Sequence, residues 1–265
     1  MQQAEDFRAE SLALADILEN LPEAAFHQPT LFKDWTINDI LGHLHLFNIA
    51  ADASLKGPET FTDFINPVVT DMKSGTSILD CQFPWLNGLS GRALYDAWRK
   101  GAETCAAAFA QADPKTRVKW IGPDMSALSS ITARQMETWA HGQAVFDLLG
   151  LKRSEQDRIR NIAHLGVATF GWTFINRKEE VPTPAPYVEL KGPSGSVWHW
   201  NTPQTDNAVR GQAVEFAQVV TQTRSVEDTN LRATGDAACR WMKHAQCFAG
   251  PPVSPPAKGL RHRVD

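Results

Sequence analysis

The stretch Met136-Glu-Thr-Trp-Ala-His141-Gly-Gln-Ala-Val-Phe-Asp-Leu-Leu-Gly150 decides how the rest of the chain is read. It contains no proline and closes on a glycine, the residue best suited to the left-handed turn that ends a helix. It predicts a helix that starts upstream near Ser129 or Ser130 and stops at Gly150. At ~100° per residue, Glu137 projects about 20° from Ala144 and Leu148, on the apolar stripe. Burying a carboxylate there is costly unless it is paired or holds a metal. His141, four residues on, projects from the same side one turn away. Such a helix needs other helices to cover it.

Working outward, the sequence supplies them. Residues 4–19 are rich in Ala, Leu and Glu, and Leu21-Pro22 stops that helix. Thr36 with Asp39 forms a capping-box start for a helix to about Ser54, ahead of a Gly57-Pro58 break. A shorter helix is expected over 61–73, and a long one over 90–111, ended by Asp113-Pro114. A fifth begins at Ser154 and runs to about Asn176. Long helices separated by breakers predict an antiparallel bundle.

The texture changes after Lys178. Val181-Pro-Thr-Pro-Ala-Pro186 reads as an extended linker. Tyr187-Val-Glu-Leu-Lys and Ser196-Val-Trp-His-Trp flank Gly192-Pro-Ser-Gly195 as a β-hairpin. A short strand at Ala208 feeds a helix over 211–221; a further strand is expected over 230–234, and Asp236 is placed to cap a last helix to Phe248. The fold class is therefore α+β, a helical bundle over 1–178 followed by a small α+β domain over 187–250 and an irregular tail over 251–265.

Composition narrows the function. The chain has 265 residues, 43% hydrophobic and 21% charged, enough to fill real cores. A formal net charge of -4 argues against a general nucleic-acid or anionic-membrane binder. The N-terminal run lacks a basic region followed by an apolar one, and no apolar stretch approaches the ~20 residues that span a bilayer. The expected setting is cytoplasmic and the expected partner a small molecule. Cys81, Cys105, Cys239 and Cys247 have no CxxC spacing and read as small buried or half-buried side chains.

His43 lies about 60° from Ile40 and about 40° from Phe47 on its helix, bordering the inward face. His45 points about 200° away from it. If His43 meets Glu137 and His141, two imidazole nitrogens and one carboxylate suit a divalent transition metal with a position left open. A Glu–His ion pair, or a salt bridge from Glu137 to Arg92 or Arg99, explains the same residues without a metal. Asp39, one turn before His43, is placed to orient it or only to cap the helix. Gln143 and Asp147 hold similar places on the other helix. His164 is a candidate for substrate contact or for an interhelix hydrogen bond. Arg210, Arg224 and Arg232 are candidates to hold a carboxylate. Trp139, Trp172, Trp198, Trp200 and Trp241 read as core. No Walker loop, GxGxxG or GxSxG occurs.

Trp35-Thr-x-x-Asp39-Ile-Leu-x-His43-Leu and Glu137-x-Trp-x-His141-Gly resemble the N-terminal domain of mycothiol-dependent maleylpyruvate isomerases, within the DinB-like metal-binding superfamily. The likeness spans about Ala4 to Gly150. It implies an antiparallel four-helix bundle holding a divalent metal, usually zinc, on His43, Glu137 and His141. Segments from Met136 to Trp172 and from Gly211 to Gly250 resemble an uncharacterised branch of that group, and the second domain is similar to its sterol-carrier-like α+β domain. The resemblance implies a thiol-dependent transferase or cis–trans isomerase, with mycothiol, glutathione or bacillithiol as the thiol. A binding module with a structural metal and a metal-assisted hydrolase are the alternatives.

Overall fold

A computed structural model describes residues 1–261. The chain divides into two compact units, Met1–Leu148 and the remainder from Leu149 onward.

The first unit is helical. Its elements are α1 (Gln2–Leu18), α2 (Ile37–Lys56), α3 (Pro58–Lys73), α4 (Ile78–Leu86), α5 (Gly91–Gln111) and α6 (Ala127–Leu148). The long helices α1, α2, α5 and α6 pack α1 on α5 and α6, and α2 on α5 and α6, giving the expected four-helix bundle. On α5, Leu94, Tyr95, Trp98, Ala102, Cys105, Ala106 and Phe109 recur at helical spacing and are buried. Trp98 and Trp139 are fully enclosed.

The start of α2 follows its sequence closely. The Thr36 amide donates to Asp39 Oδ2 at 2.9 Å, and the Asp39 amide donates to Thr36 Oγ1 at 3.1 Å. This is the reciprocal capping box the residue types predict. Gly57, at φ 133°, then reverses the chain directly into Pro58 at the first turn of α3. That helix begins three residues before the expected Phe61. The α4 helix was not expected. Pro84 lies inside it, and Gln82, fully buried, donates to the Asp39 carbonyl at 3.1 Å and ties it to α2. A two-residue hairpin, β1 (Arg117–Val118) with β2 (Met125–Ser126), leads into α6. That helix starts at Ala127, earlier than Ser129 or Ser130, because Ser126 Oγ accepts from the Ser129 amide at 3.1 Å.

In the second unit the expected fifth helix is broken. A 3₁₀ turn over Asp157–Ile159 leads into α7 (Arg160–Ala168), and α8 (Phe170–Ile175) follows after Thr169. The Thr169 hydroxyl donates to the Leu165 carbonyl at 2.8 Å, and its backbone leaves the helical region at φ -93°, ψ 11°. A four-stranded sheet runs β4-β3-β5-β6, from β3 (Tyr187–Lys191), β4 (Val197–Trp200), β5 (Ala208–Gln212) and β6 (Arg232–Thr234). β3 pairs antiparallel with β4 and parallel with β5, and β5 pairs antiparallel with β6. The helices α9 (Ala213–Val220) and α10 (Asp236–His244) complete the α+β unit.

The compact-unit boundary after Leu148 departs from the expected one near residue 178. Packing explains it. A Cβ on Gly166 of α7 would lie 2.8 Å from a Val220 methyl and 3.0 Å from the Phe216 ring of α9. Residues 160–175 therefore share the core of the sheet unit. Asp236 is the first residue of α10 and Gly235, at φ 87°, its cap, so the expected Asp236 cap is displaced by one position. The tail carries no helix or strand over 251–261, though the Val253 amide donates to Gln246 Oε1 at 3.0 Å. The expectation of irregular structure for 262–265 lies outside the described residues. Among the described residues no helix is long and apolar enough to cross a membrane.

Candidate metal centre

The bundle brings His43 of α2 and Glu137 and His141 of α6 together. Glu137 Oε2 lies 3.4 Å from His43 Nε2 and 3.3 Å from His141 Nε2. One donor atom from each of the three falls within 4.8 Å of the others. The side chains of His43, Glu137 and His141 keep 12%, 23% and 11% of their surface, so the cluster is enclosed but reachable.

Aromatic rings hold the two imidazoles. Trp35 lies parallel to His141 at 5.7 Å between centroids, and Phe32 meets the same ring edge-on at 4.9 Å. His43 sits against Trp35 at 5.4 Å and Phe47 at 4.7 Å. Nδ1 of His43 is buried without a hydrogen-bond partner, so its ring orientation rests on this packing. Trp35 and Phe32 come from the turn preceding α2, and the capping box fixes where that turn ends.

Charge follows from the geometry. Burial pushes the His43 imidazole down to about 4, which leaves it neutral at physiological pH. Burial pushes the Glu137 carboxyl up, but the imidazoles, His141 foremost, outweigh it and hold it well below the usual carboxylate range. An ionised Glu137 carboxylate and a neutral His43 imidazole are the forms in which those two groups ligate a metal.

The distances test whether a metal fits. Charge-assisted hydrogen bonds run ~2.7–2.9 Å, shorter than both carboxylate–imidazole contacts. A tetrahedral ion with bonds of ~2.0–2.1 Å sets its donor atoms about 3.3 Å apart. The two observed separations match that edge, and the donor set is the mixed nitrogen–oxygen kind that divalent transition metals accept.

The other expected residues fall elsewhere. Asp39 spends its carboxylate on the cap, through Thr36. Gln143 donates to Asp147 Oδ1 at 2.9 Å, one turn on. Arg92 donates to the Leu18 and Leu21 carbonyls and Arg99 lies 3.8 Å from Glu19, so neither pairs with Glu137. His45 is on the α5 side of α2, its Nδ1 beside Gly101. In the second unit, His164 Nδ1 accepts from Trp200 Nε1 at 3.1 Å. Arg224 is buried after α9 and donates to the Thr223 carbonyl at 2.9 Å, while Arg210 and Arg232 sit in register on β5 and β6. Sequence reasoning passed over Phe32 and Arg134. Spacing alone does not distinguish Arg134; its burial against Phe47 and Asn48 does.

Residues 7–146 match a family model described as the mycothiol maleylpyruvate isomerase N-terminal domain. Two uncharacterized proteins of Mycobacterium tuberculosis, from strains CDC 1551 and H37Rv, are 35% identical over 247 residues, covering 93% of this chain and 95% of each relative. Crystal structures of the mycothiol-dependent maleylpyruvate isomerase and of a histidine-to-alanine mutant align at a TM-score of 0.52, with 15% and 14% identity, over 82% of this chain and 87% of theirs. At that identity the alignment shows a shared fold.

Proposed function

The chain belongs to the mycothiol maleylpyruvate isomerase N-terminal domain family, and from that premise we propose that it is a metal-dependent enzyme that uses a low-molecular-weight thiol for cis–trans isomerisation or S-transfer on a small electrophile. The observation that carries the reading is the cluster itself, with Glu137 Oε2 at 3.3 and 3.4 Å from two imidazole nitrogens inside a bundle. His43, Glu137 and His141 would hold the ion, with zinc the leading choice for this donor set. Bound there, a divalent cation supplies a Lewis acid that favours the thiolate of a coordinated thiol.

The chain's own residues do the rest. Trp35, Phe32 and Phe47 keep the imidazoles in one orientation and line the centre with apolar surface. Exclusion of water there strengthens every charge interaction. The thiolate sulfur adds to one carbon of a conjugated alkene, the π pair moves onto the conjugated carbonyl as an enolate, and rotation follows about the bond that has become single. Expulsion of the thiolate restores the alkene with its geometry changed and no net redox. Where the carbon–sulfur bond persists, the outcome is S-transfer.

The test begins with metal analysis of protein purified without a histidine tag. About one equivalent of metal, lost in His43→Ala and in His141→Ala, supports the reading. Full metal content in both variants sinks it. Turnover of a conjugated cis-alkenoate with mycothiol, glutathione or bacillithiol then identifies the thiol. Turnover of an ester or amide with no thiol present would instead favour a hydrolase.

A further inference from the structure

Arg134 is the unexplained group beside the centre. It precedes Glu137 by one turn on α6 and is 2% exposed. Its Nε donates to Asn48 Oδ1 at 3.1 Å, and its guanidinium lies over the Phe47 ring, 5.9 Å from the centroid. Phe47 also touches His43, so one ring separates the guanidinium from a ligand of the proposed ion. Nη2 of Arg134 and Nδ2 of Asn48 are buried donors without acceptors. Among the described residues no carboxylate forms an ion pair with Arg134.

A buried cation without a contacting counter-charge is costly; neutral Asn48 supplies none, and the carboxylate Arg134 feels most is Glu137 of the centre itself. Cys105 is the other nearby group able to ionise, but burial pushes its thiol up to about 12, so it is neutral too. What remains is the charge at the centre. There, a divalent ion with one carboxylate and two neutral imidazoles carries one net positive charge. Arg134 raises the local total to two. That surplus favours an anion at the open position and gives a neutral ligand no advantage.

We propose that Arg134 sets the charge of this centre and makes it select anionic over neutral ligands at the open coordination position. The proposal rests on the metal-centre reading. Arg134 is a positioning residue in this scheme, acting on the ligand through the field it creates.

The experiment uses the full chain loaded with cobalt(II) at one fixed pH, titrated by visible absorption with azide as the anion and imidazole as the neutral ligand. Arg134→Gln should weaken azide binding about tenfold and leave imidazole binding within about twofold. Arg134→Lys should keep most of the azide affinity. Should Arg134→Gln fail to fold, Arg134→Met removes the charge while filling the space and carries the same test. Unchanged azide affinity in the folded neutral variant, or azide and imidazole affinities falling together, overturns the proposal and leaves the metal reading standing. Failure of the wild-type protein to take up cobalt overturns the metal reading and this inference with it.

Discussion

The Trp35 indole and the His141 imidazole are stacked within 3° of parallel, although one precedes α2 and the other lies deep in α6. Trp35 is 7% exposed, and its ring also meets His43. One aromatic plane therefore orients both nitrogen donors of the candidate centre, a task that hydrogen-bonded carboxylates usually perform around metals.

Trp35→Ala should lower metal affinity about tenfold or more, by freeing both imidazoles. It should also cost about 3 kcal/mol of stability, as expected for emptying a buried tryptophan site. Trp35→Phe should lose less of each. Competition against a chromophoric chelator reads the first quantity and urea unfolding the second. Unaltered metal affinity in a folded Trp35→Ala protein would remove Trp35 from the centre.

Acid should begin to destabilise the metal-free protein above the range where carboxylates titrate. The ordinary value for His43 is 6.5 and its folded value about 4. Between those limits the unfolded chain takes up a proton that the folded chain refuses, so stability falls as pH drops. The loss is nearly complete just below the folded value and is on the order of 3 kcal/mol. Glu137, held below its ordinary 4.5, adds a loss in the same direction at still lower pH. Urea unfolding of chelator-treated protein at pH 7 and near pH 4 checks this; a flat profile, or equal slopes in His43→Gln, contradicts it.

Thiol chemistry should separate the cysteines. Cys239 is exposed, whereas Cys81, Cys105 and Cys247 are buried. Burial raises the Cys81 and Cys105 thiols, the second to about 12. Titration of the native protein with a chromogenic disulfide should show one fast thiol, abolished in Cys239→Ser, with Cys105 reacting only on unfolding.

Two glycine substitutions should behave differently. A Cβ on Gly42 would lie 2.7 Å from Leu86 Cδ1, the far end of a flexible side chain. The clash is relieved by rotation, and the helical gain of alanine, up to ~1 kcal/mol, offsets much of it. Gly42→Ala should be close to neutral. A Cβ on Gly166 would strike both Val220 methyls and Phe216, which are enclosed. Gly166→Ala should cost about 1–3 kcal/mol while leaving metal content unchanged. Thermal unfolding of both variants decides the comparison.

The residues that meet at the centre were legible because helical period alone puts Glu137 and His141 on the inward side of α6 and His43 on that of α2. The start of α2 was legible for a local reason, the Thr36–Asp39 pair. What the sequence hid depends on tertiary partners. No proline marks Thr169 as a break between α7 and α8, and the nearby Gly166 and Gly171 lie inside those helices. Pro84 concealed α4, a helix held to α2 through Gln82. Residues 160–175 look like a bundle continuation until Gly166 is seen against α9. Arg134 has the spacing of an ordinary surface charge, and only its burial against Phe47 and Asn48 gives it a role.

The capping box at Thr36 and Asp39 has a reach beyond its own turn. It fixes the register in which α2 begins, and that register sets both the indole immediately upstream and the imidazole two turns downstream. Losing the cap would therefore look, in an assay, like damage to the chemistry itself, and a selection for activity would guard a threonine and an aspartate that need never meet a substrate.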